Sequence, residues 1–156
     1  MADTATRDVY FMGVPMRTTL ATAETGGAVS IMEQALPPHF SPPLHVHERE
    51  DQVLHVVAGE ITARLEPADG APIEQSVPAG SSIFLPRGVP HTFIAGADGA
   101  TMLEINTPGG FEQFHIDEGV PATGAGVPEP TEPDIPRLAA ALAQYGGEFV
   151  GPPMTA

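Results

Sequence analysis

The sequence predicts an all-β protein, and three observations support that prediction. Between Met16 and Thr107 the chain is a series of short apolar or alternating runs separated by Pro and Gly, which is typical of antiparallel strands. Helix signals are absent from this stretch. Two Asp-Gly pairs, at 69–70 and 98–99, each lie between two runs, and Asp-Gly favours tight hairpins. We therefore expect a sandwich or barrel.

The predicted elements follow one another at even spacing. The strands are expected at residues 28–36, 52–58, 60–65, 73–77, 82–85, 90–95 and 101–107. A short helix is expected at 111–119, and a linker rich in Pro, Gly and acidic residues at 122–133. A last helix is expected at 134–145, because Asp134 can cap it and Pro136 suits its first turn. Its apolar stripe should pack on the barrel or on a second subunit, and consists of Ile135, Leu138, Leu142 and Tyr145.

The chain is organised as one domain with two flanking segments. Its 156 residues can bury about 70% of the surface of the unfolded chain. We assign residues 1–15 to an N-terminal segment and 16–110 to the barrel. Residues 111–156 form a C-terminal helical segment with a Pro-rich tail.

Composition limits the partners and the ligands. A net charge of -14, with arginine and no lysine, repels phosphate backbones and anionic lipids, so we expect neither a nucleic acid nor a membrane partner. No run approaches the length of a membrane span and no signal segment is evident, which predicts a cytoplasmic protein. Because the chain has no cysteine, any metal must be held by nitrogen and oxygen atoms.

Three histidines outline a metal site. His45 and His47 form a His-x-His pair on an extended segment, which points both imidazoles to one side. His91, on a distant predicted strand, can complete a facial set of ligands. A satisfied polar cluster without a metal is the alternative.

The residues around these histidines resemble the two cupin motifs. The first motif is matched by His45, His47, Gln52 and Gly59, and the second by Gly80, Pro86, Gly88 and His91. Further segments resemble single-domain cupins related to quercetin 2,3-dioxygenase, namely residues 10–13, 25–27, 42–47, 107–112 and 150–153.

This resemblance implies a cupin double-stranded β-helix (jelly-roll) barrel with short C-terminal helices, often dimeric, so a homodimer is expected. It also implies one divalent metal ion, which can be iron, manganese, nickel, cobalt, copper or zinc. The metal ligands carried over by position are His45, His47, His91 and Gln52. The family has a glutamate where this chain has Gln52, a glycine where it has His39, and an asparagine where it has Ala95.

The glutamine changes the expected chemistry, because an amide oxygen brings no charge and cannot take a substrate proton. Glu50 and His39 are therefore the candidate bases, and Glu50 is also an alternative fourth ligand. A solvated loop residue is the alternative for both. His55 should face the opposite side of its strand, and His115 either caps the cavity or is exposed.

Apolar residues on the inward faces are expected to form a substrate pocket, although simple barrel core is the alternative for each. They are Leu54, Val56, Phe84, Phe93, Met32 and Met102. Such a pocket suits a small aromatic or hydrophobic molecule with one oxygen donor.

Three functions follow as hypotheses. The first is a quercetinase-like dioxygenase that acts on a small aromatic or enol-type substrate. The second is a non-oxidative lyase or isomerase that uses three His and one Gln, and cupin hydroxynitrile lyases are similar in ligand type. The third is a small-molecule binding cupin without turnover.

Overall fold

The computed structural model describes residues 7–122, 124, 126, 128–129 and 131–156. These residues form strands, two α-helices and a short 3₁₀ turn at Thr22–Thr25. The strands are β1 (Asp8–Phe11), β2 (Val14–Leu20), β3 (Ser30–Leu36), β4 (Leu44–His47), β5 (Asp51–Leu65), β6 (Ile73–Pro78), β7 (Ser82–Leu85), β8 (His91–Thr107), β9 (Val120–Pro121) and β10 (Gly147–Gly151). The helices are α1 (Glu112–Glu118) and α2 (Ile135–Gln144).

Two long antiparallel strands, β5 and β8, organise a jelly-roll β-barrel. They pair along almost their whole length, from Asp51 opposite Thr107 to Leu65 opposite His91. Strand β8 also pairs with β3 and β4, while β5 pairs with β6 and β7. The predicted all-β class is confirmed, and this topology brings β4, β5 and β8 together at the end of the barrel that carries the three histidines.

One of the two Asp-Gly hairpins is confirmed and the other is wrong. Asp69 lies in the turn between β5 and β6, whose strands pair from Leu65 and Ile73 onward. Residues 98–99, in contrast, lie inside β8, where the register with β5 shifts. Gly99 there has a φ of +76°, a conformation that glycine adopts without strain. The dipeptide therefore serves a bulge within one strand rather than a hairpin between two.

The sheet extends beyond the predicted barrel at both ends. Strand β1 pairs with β2 on the N-terminal side, and β10 pairs with β4 from the C-terminal tail. The predicted linker at 122–133 is described only in part, since residues 123, 125, 127 and 130 lie outside the described residues.

Both predicted helices are confirmed. Asp134 caps α2 by accepting a hydrogen bond from the Arg137 backbone N–H at 3.1 Å. Leu138 and Leu142 are buried, and α2 packs on β10 and α1. Neither described helix is long and apolar enough to cross a membrane.

The core follows the alternation of the strands. On β5 the side chains of Gln52, Leu54 and Val56 point inward and are buried, as period-two geometry requires. On β8 the inward positions opposite them are Met102, Glu104 and Asn106. The inner face therefore changes from apolar to polar toward the histidines.

Candidate metal centre

The three predicted histidines converge. His45 lies directly opposite His91 in the β4–β8 pairing, and His47 shares the face of His45, with ring centroids 5.0 Å apart. One ring nitrogen from each residue can be chosen so that all three lie within 4.8 Å of one another. This spacing fits a shared divalent cation.

Two of the imidazoles are oriented by the main chain just before them. The Nδ1 atom of His45 is 2.7 Å from the carbonyl oxygen of Pro43, and Nδ1 of His91 is 3.1 Å from that of Val89. A carbonyl can only accept, so a hydrogen bond at these contacts puts the proton on Nδ1. The Nε2 atoms then carry lone pairs that are available to a metal.

The third imidazole, that of His47, also has an oxygen atom beside its Nδ1, but this oxygen belongs to a side chain. Its Nδ1 lies 2.7 Å from Oε1 of the buried Glu50, although the angles are not those of a hydrogen bond. Its Nε2 is buried and has no hydrogen-bond partner among the described residues, which fits a ligand atom. A carboxylate beside the second nitrogen of a ligating histidine is a common outer partner at metal sites. Burial raises the pKa of Glu50 to about 7.

Gln52 joins the histidines from β5, as predicted. Its Nε2 donates to Oδ1 of Asn106 at 2.8 Å, and its Oε1 lies 3.0 Å from Nε2 of His91. All three side chains are buried. The amide therefore presents its oxygen, the atom that can bind a cation, to the imidazoles.

This arrangement leaves an electrostatic conflict that a cation resolves. Both nitrogens of His91 face acceptors, the oxygens of Val89 and Gln52, but a neutral imidazole has one proton to donate. Burial, followed by the neighbouring His45 and His47, lowers the pKa of His91 well below 6.5, so a second proton is disfavoured. Two atoms that bind one ion at right angles and at about 2.1 Å lie roughly 3 Å apart, as Nε2 and Oε1 do.

The other two imidazoles are also neutral at physiological pH. Burial is the main reason that the pKa of His45 falls to about 3 and that of His47 to about 4, although part of the His45 ring is open to the cavity. Metal ions bind the neutral form of histidine. The cluster is therefore ready to bind a metal without first losing protons.

A second polar group beside the cluster was missed by the sequence analysis. Glu104 is only 6% exposed, and its carboxylate accepts from Nδ2 of Asn106 at 3.2 Å and from Nε2 of Gln34 at 2.9 Å. A signal was available, because Glu104 follows Met102 at the two-residue period of a predicted strand. A carboxylate on an inward face is rarely buried without a role.

A cavity opens beside the cluster, and most of its wall is apolar. Aromatic side chains dominate, and Gln34, Glu104 and His115 supply polar atoms along with members of the cluster. The aromatic lining residues are Phe11, Phe40, Phe93, Phe111, Phe114 and Phe149. His115 is buried, and within the part of the chain that the structure describes its Nδ1 has no hydrogen-bond partner.

The predicted pocket is right in part. Leu54 and Phe93 line the cavity. Phe84 does not, because it is 57% exposed on the outer face of β7. The other three residues of the predicted pocket are Val56, Met32 and Met102. Their side chains are fully buried in the core and do not line the cavity, so the prediction is wrong for them.

The two candidate bases lie away from the cavity wall. His39 is exposed, in a left-handed turn with a φ of +61°, and Glu50 lies beside His47. Neither is among the lining residues. His55 is on the outer side of β5, as expected, where its Nδ1 is 2.8 Å from the Ser82 hydroxyl.

Comparison with known proteins agrees with this architecture. A family model described as a cupin domain matches residues 32–106, which include the four proposed ligands. No match is found among curated proteins.

Among solved structures, a mutant oxalate decarboxylase from Bacillus subtilis is similar at 23% identity and a TM-score of 0.58, over 64% of this chain and 26% of that one. KdgF from Halomonas sp. is similar at 18% identity and a TM-score of 0.55, over 65% of this chain and 85% of that one. The chain thus spans about a quarter of the decarboxylase. At these identities the likeness shows a shared fold.

The domain match and the shared barrel agree with each other and with the convergence of the two histidine motifs. The histidine cluster supports binding of a divalent metal ion. The chain therefore contains a cupin domain, which the family model places at residues 32–106.

Proposed function

We propose that the protein is a quercetinase-like dioxygenase, a metal-dependent enzyme that acts on a small aromatic or enol-type substrate. The observation that carries the proposal is the cavity, whose aromatic wall meets the imidazole cluster. A divalent ion held by His45, His47 and His91, with the Gln52 oxygen as fourth ligand, would act there as a Lewis acid toward a substrate oxygen.

The wall of the cavity favours a flat, largely apolar substrate. Phe40 and Phe93 have ring centroids 6.4 Å apart, and Phe111 stacks on Phe114 at 5.4 Å. Aromatic rings prefer such offset and edge contacts with other rings. A substrate ring that enters between these side chains would place its oxygen donor at the polar end of the cavity, beside the histidine cluster.

A base is available even though Gln52 cannot take a proton. The Glu104 carboxylate lines the same cavity, and each of its oxygens accepts one hydrogen bond from the protein, so lone pairs remain free. His115 lines the cavity beside it. We propose that Glu104 takes the hydroxyl proton of the substrate, with His115 as its neighbour.

Oxygen uptake tests this proposal. Protein reconstituted with iron, manganese, nickel, cobalt or copper is mixed with a flavonol, and dissolved oxygen and product are followed. We expect one dioxygen consumed for each substrate cleaved, and none with His91→Ala. Binding of the flavonol without oxygen consumption under any metal would contradict a dioxygenase.

The second candidate is a non-oxidative lyase or isomerase, and Gln52 favours it. A neutral amide leaves the charge of a bound cation undiminished, which strengthens Lewis acidity and weakens electron donation to dioxygen. Turnover of a hydroxy-carbonyl compound or a cyanohydrin in the absence of oxygen would establish it. A tight ligand that is never converted would identify the third hypothesis, a binding protein.

We also propose a homodimer, formed through the outer face of the barrel. In the strand register Phe84 lies beside Val53, Val53 beside Ile105, and Ile105 beside Ile31. Phe84 is exposed and the other three are partly exposed, so an apolar row crosses four strands. Such rows commonly mark protein interfaces. Light scattering after gel filtration should give twice the monomer mass, and Phe84→Glu should give monomers.

A further inference from the structure

We infer that Glu104, acting through Asn106, is the positioning residue that decides which end of the Gln52 amide faces the three histidines. The orientation itself is a property of the metal-free protein. Its consequence for metal affinity rests on the proposed metal-binding function.

The chain of hydrogen bonds begins at a group that can only accept. A carboxylate has no donor, and both oxygens of Glu104 are used, Oε2 by Gln34 Nε2 at 2.9 Å and Oε1 by Asn106 Nδ2 at 3.2 Å. The amide group of Asn106 must therefore turn its NH₂ toward Glu104. Its oxygen is left to face the opposite way, toward β5.

The second step transmits this direction to Gln52. Oδ1 of Asn106 accepts from Nε2 of Gln52 at 2.8 Å, so Oε1 of Gln52 points to Nε2 of His91 at 3.0 Å. Reversing the Gln52 amide would set its oxygen against the oxygen of Asn106. Asn106 is 0% exposed, so water cannot relieve two facing acceptors, and burying them unpaired is costly.

The carboxylate matters because an amide has two different ends and only one can bind a cation. An amide at position 104 could satisfy Asn106 in either direction, since it offers both a donor and an acceptor. Glu104 removes that freedom. It also places a carboxylate near the three histidines, although the side chain at position 52 is a neutral amide.

A charge swap tests the inference directly. Gln52→Glu alone puts a carboxylate on each side of Asn106, whose single NH₂ can satisfy only one of them. Adding Glu104→Gln reverses the whole chain: the amide at position 104 donates to Asn106, and Asn106 donates to the carboxylate at position 52. The amide at position 104 can still accept from Gln34. The contacts between positions 104, 106 and 52 are then paired again, and the net charge equals that of the natural chain.

The readout is thermal unfolding of the metal-free proteins. We expect Gln52→Glu to lower the melting temperature, and the double variant Gln52→Glu/Glu104→Gln to recover most of the loss. A double variant that unfolds at or below the temperature of Gln52→Glu would overturn the inference. The matched control makes the same exchange on the surface with Gln75→Glu and Gln75→Glu/Glu60→Gln, which involve exposed residues and should show no such recovery.

Cobalt(II) titration, followed by absorption spectroscopy, separates this inference from the proposed function. We expect Glu104→Gln to weaken cobalt binding about tenfold, as loss of an outer partner does at other metal sites, and the double variant to bind at least as tightly as the natural protein. Recovery of stability without cobalt binding in any protein would support the positioning and refute the metal site. Cobalt binding without recovery of stability would refute the positioning alone.

Discussion

Two walls of the cluster are held in different ways. The histidine wall, His45, His47 and His91, is oriented by neighbours in sequence: Pro43 and Val89 lie two residues before their histidines, and Glu50 lies three residues after His47. The amide wall consists of Gln34, Gln52, Glu104 and Asn106. Most of its hydrogen bonds join residues 54 to 70 positions apart.

The difference predicts how each wall responds to substitution. Two of the histidines are oriented by main-chain carbonyls, which remain when a neighbouring side chain is replaced. The residues of the amide wall are oriented by one another's side chains, so replacing one of them leaves its partner buried without a hydrogen bond. The histidine wall should therefore be sensitive at its own residues and at Glu50, and the amide wall at every partner.

The largest expected effect is on metal binding by the histidine wall. His91→Ala removes a ligand nitrogen from a cluster with few ligands, and should weaken metal binding by more than about a hundredfold, because outer partners alone contribute ten- to a hundredfold. Metal analysis after dialysis measures this. The matched control is His55→Ala on the outer face of β5, which should keep its metal. Equal occupancy in the two variants would refute the assignment.

In the amide wall the largest effect is expected from Asn106→Ala. The substitution leaves the Gln52 amide nitrogen and one oxygen of Glu104 buried without a partner, at a cost of about 4 kcal/mol. Urea unfolding of the metal-free protein measures it. A loss below 1 kcal/mol, on the order of an ordinary surface substitution, would mean that the hydrogen bonds joining Gln52, Asn106 and Glu104 contribute little to stability.

A smaller effect is expected from pH, and it reports on the histidine wall. The folded protein holds the pKa of His45 at about 3 and that of His47 at about 4, below the unfolded value of 6.5. The unfolded chain therefore takes up protons first as the pH falls below 6.5, and the stability present above that value is lost down to about pH 4 for His47 and about pH 3 for His45. Glu50, whose pKa is raised to about 7, acts in the opposite direction.

At pH 5 each of these histidines should lower the free energy of unfolding by about 2 kcal/mol, and Glu50 should raise it by about as much as one histidine lowers it. Urea unfolding of metal-free protein at pH 7 and pH 5 gives the difference, and His47→Gln should reduce it. Stability that stays constant or rises on acidification would contradict neutral, buried imidazoles.

The smallest effect is expected at a main-chain anchor. Val89→Ala keeps the carbonyl that faces His91, so metal binding should be unchanged and stability should fall by no more than about 1 kcal/mol. This variant is the counterpart of Asn106→Ala. Loss of the metal from Val89→Ala would show that side-chain packing, and not the carbonyl, orients His91.

Much of the fold was predictable because it depends on local pattern. The alternation on β5 predicted that Leu54 points inward and His55 outward, and the cap at Asp134 predicted α2. The Asp-Gly pair at 98–99 was misread because a bulge and a hairpin need the same positive φ. Only the partner strand shows which one forms.

The pocket was less predictable than the histidines. Phe84 and Phe93 both lie on strands with alternating faces, yet one is exposed on the outer surface and the other lines the cavity. Alternation separates the two faces of a strand but does not say which face is inward. The cavity wall also takes Phe114 and His115 from α1, and the position of that helix depends on packing against distant strands.

The amino-acid sequence by itself determined the all-β class, the two helices and the convergence of His45, His47 and His91, because these follow from short-range periodicity and motif spacing. Tertiary structure alone decided that Glu104 and Asn106 stand beside Gln52 and direct its oxygen. The physical reason is that an amide is nearly symmetric in shape, so its orientation is set by the hydrogen-bonding partners that folding brings to it.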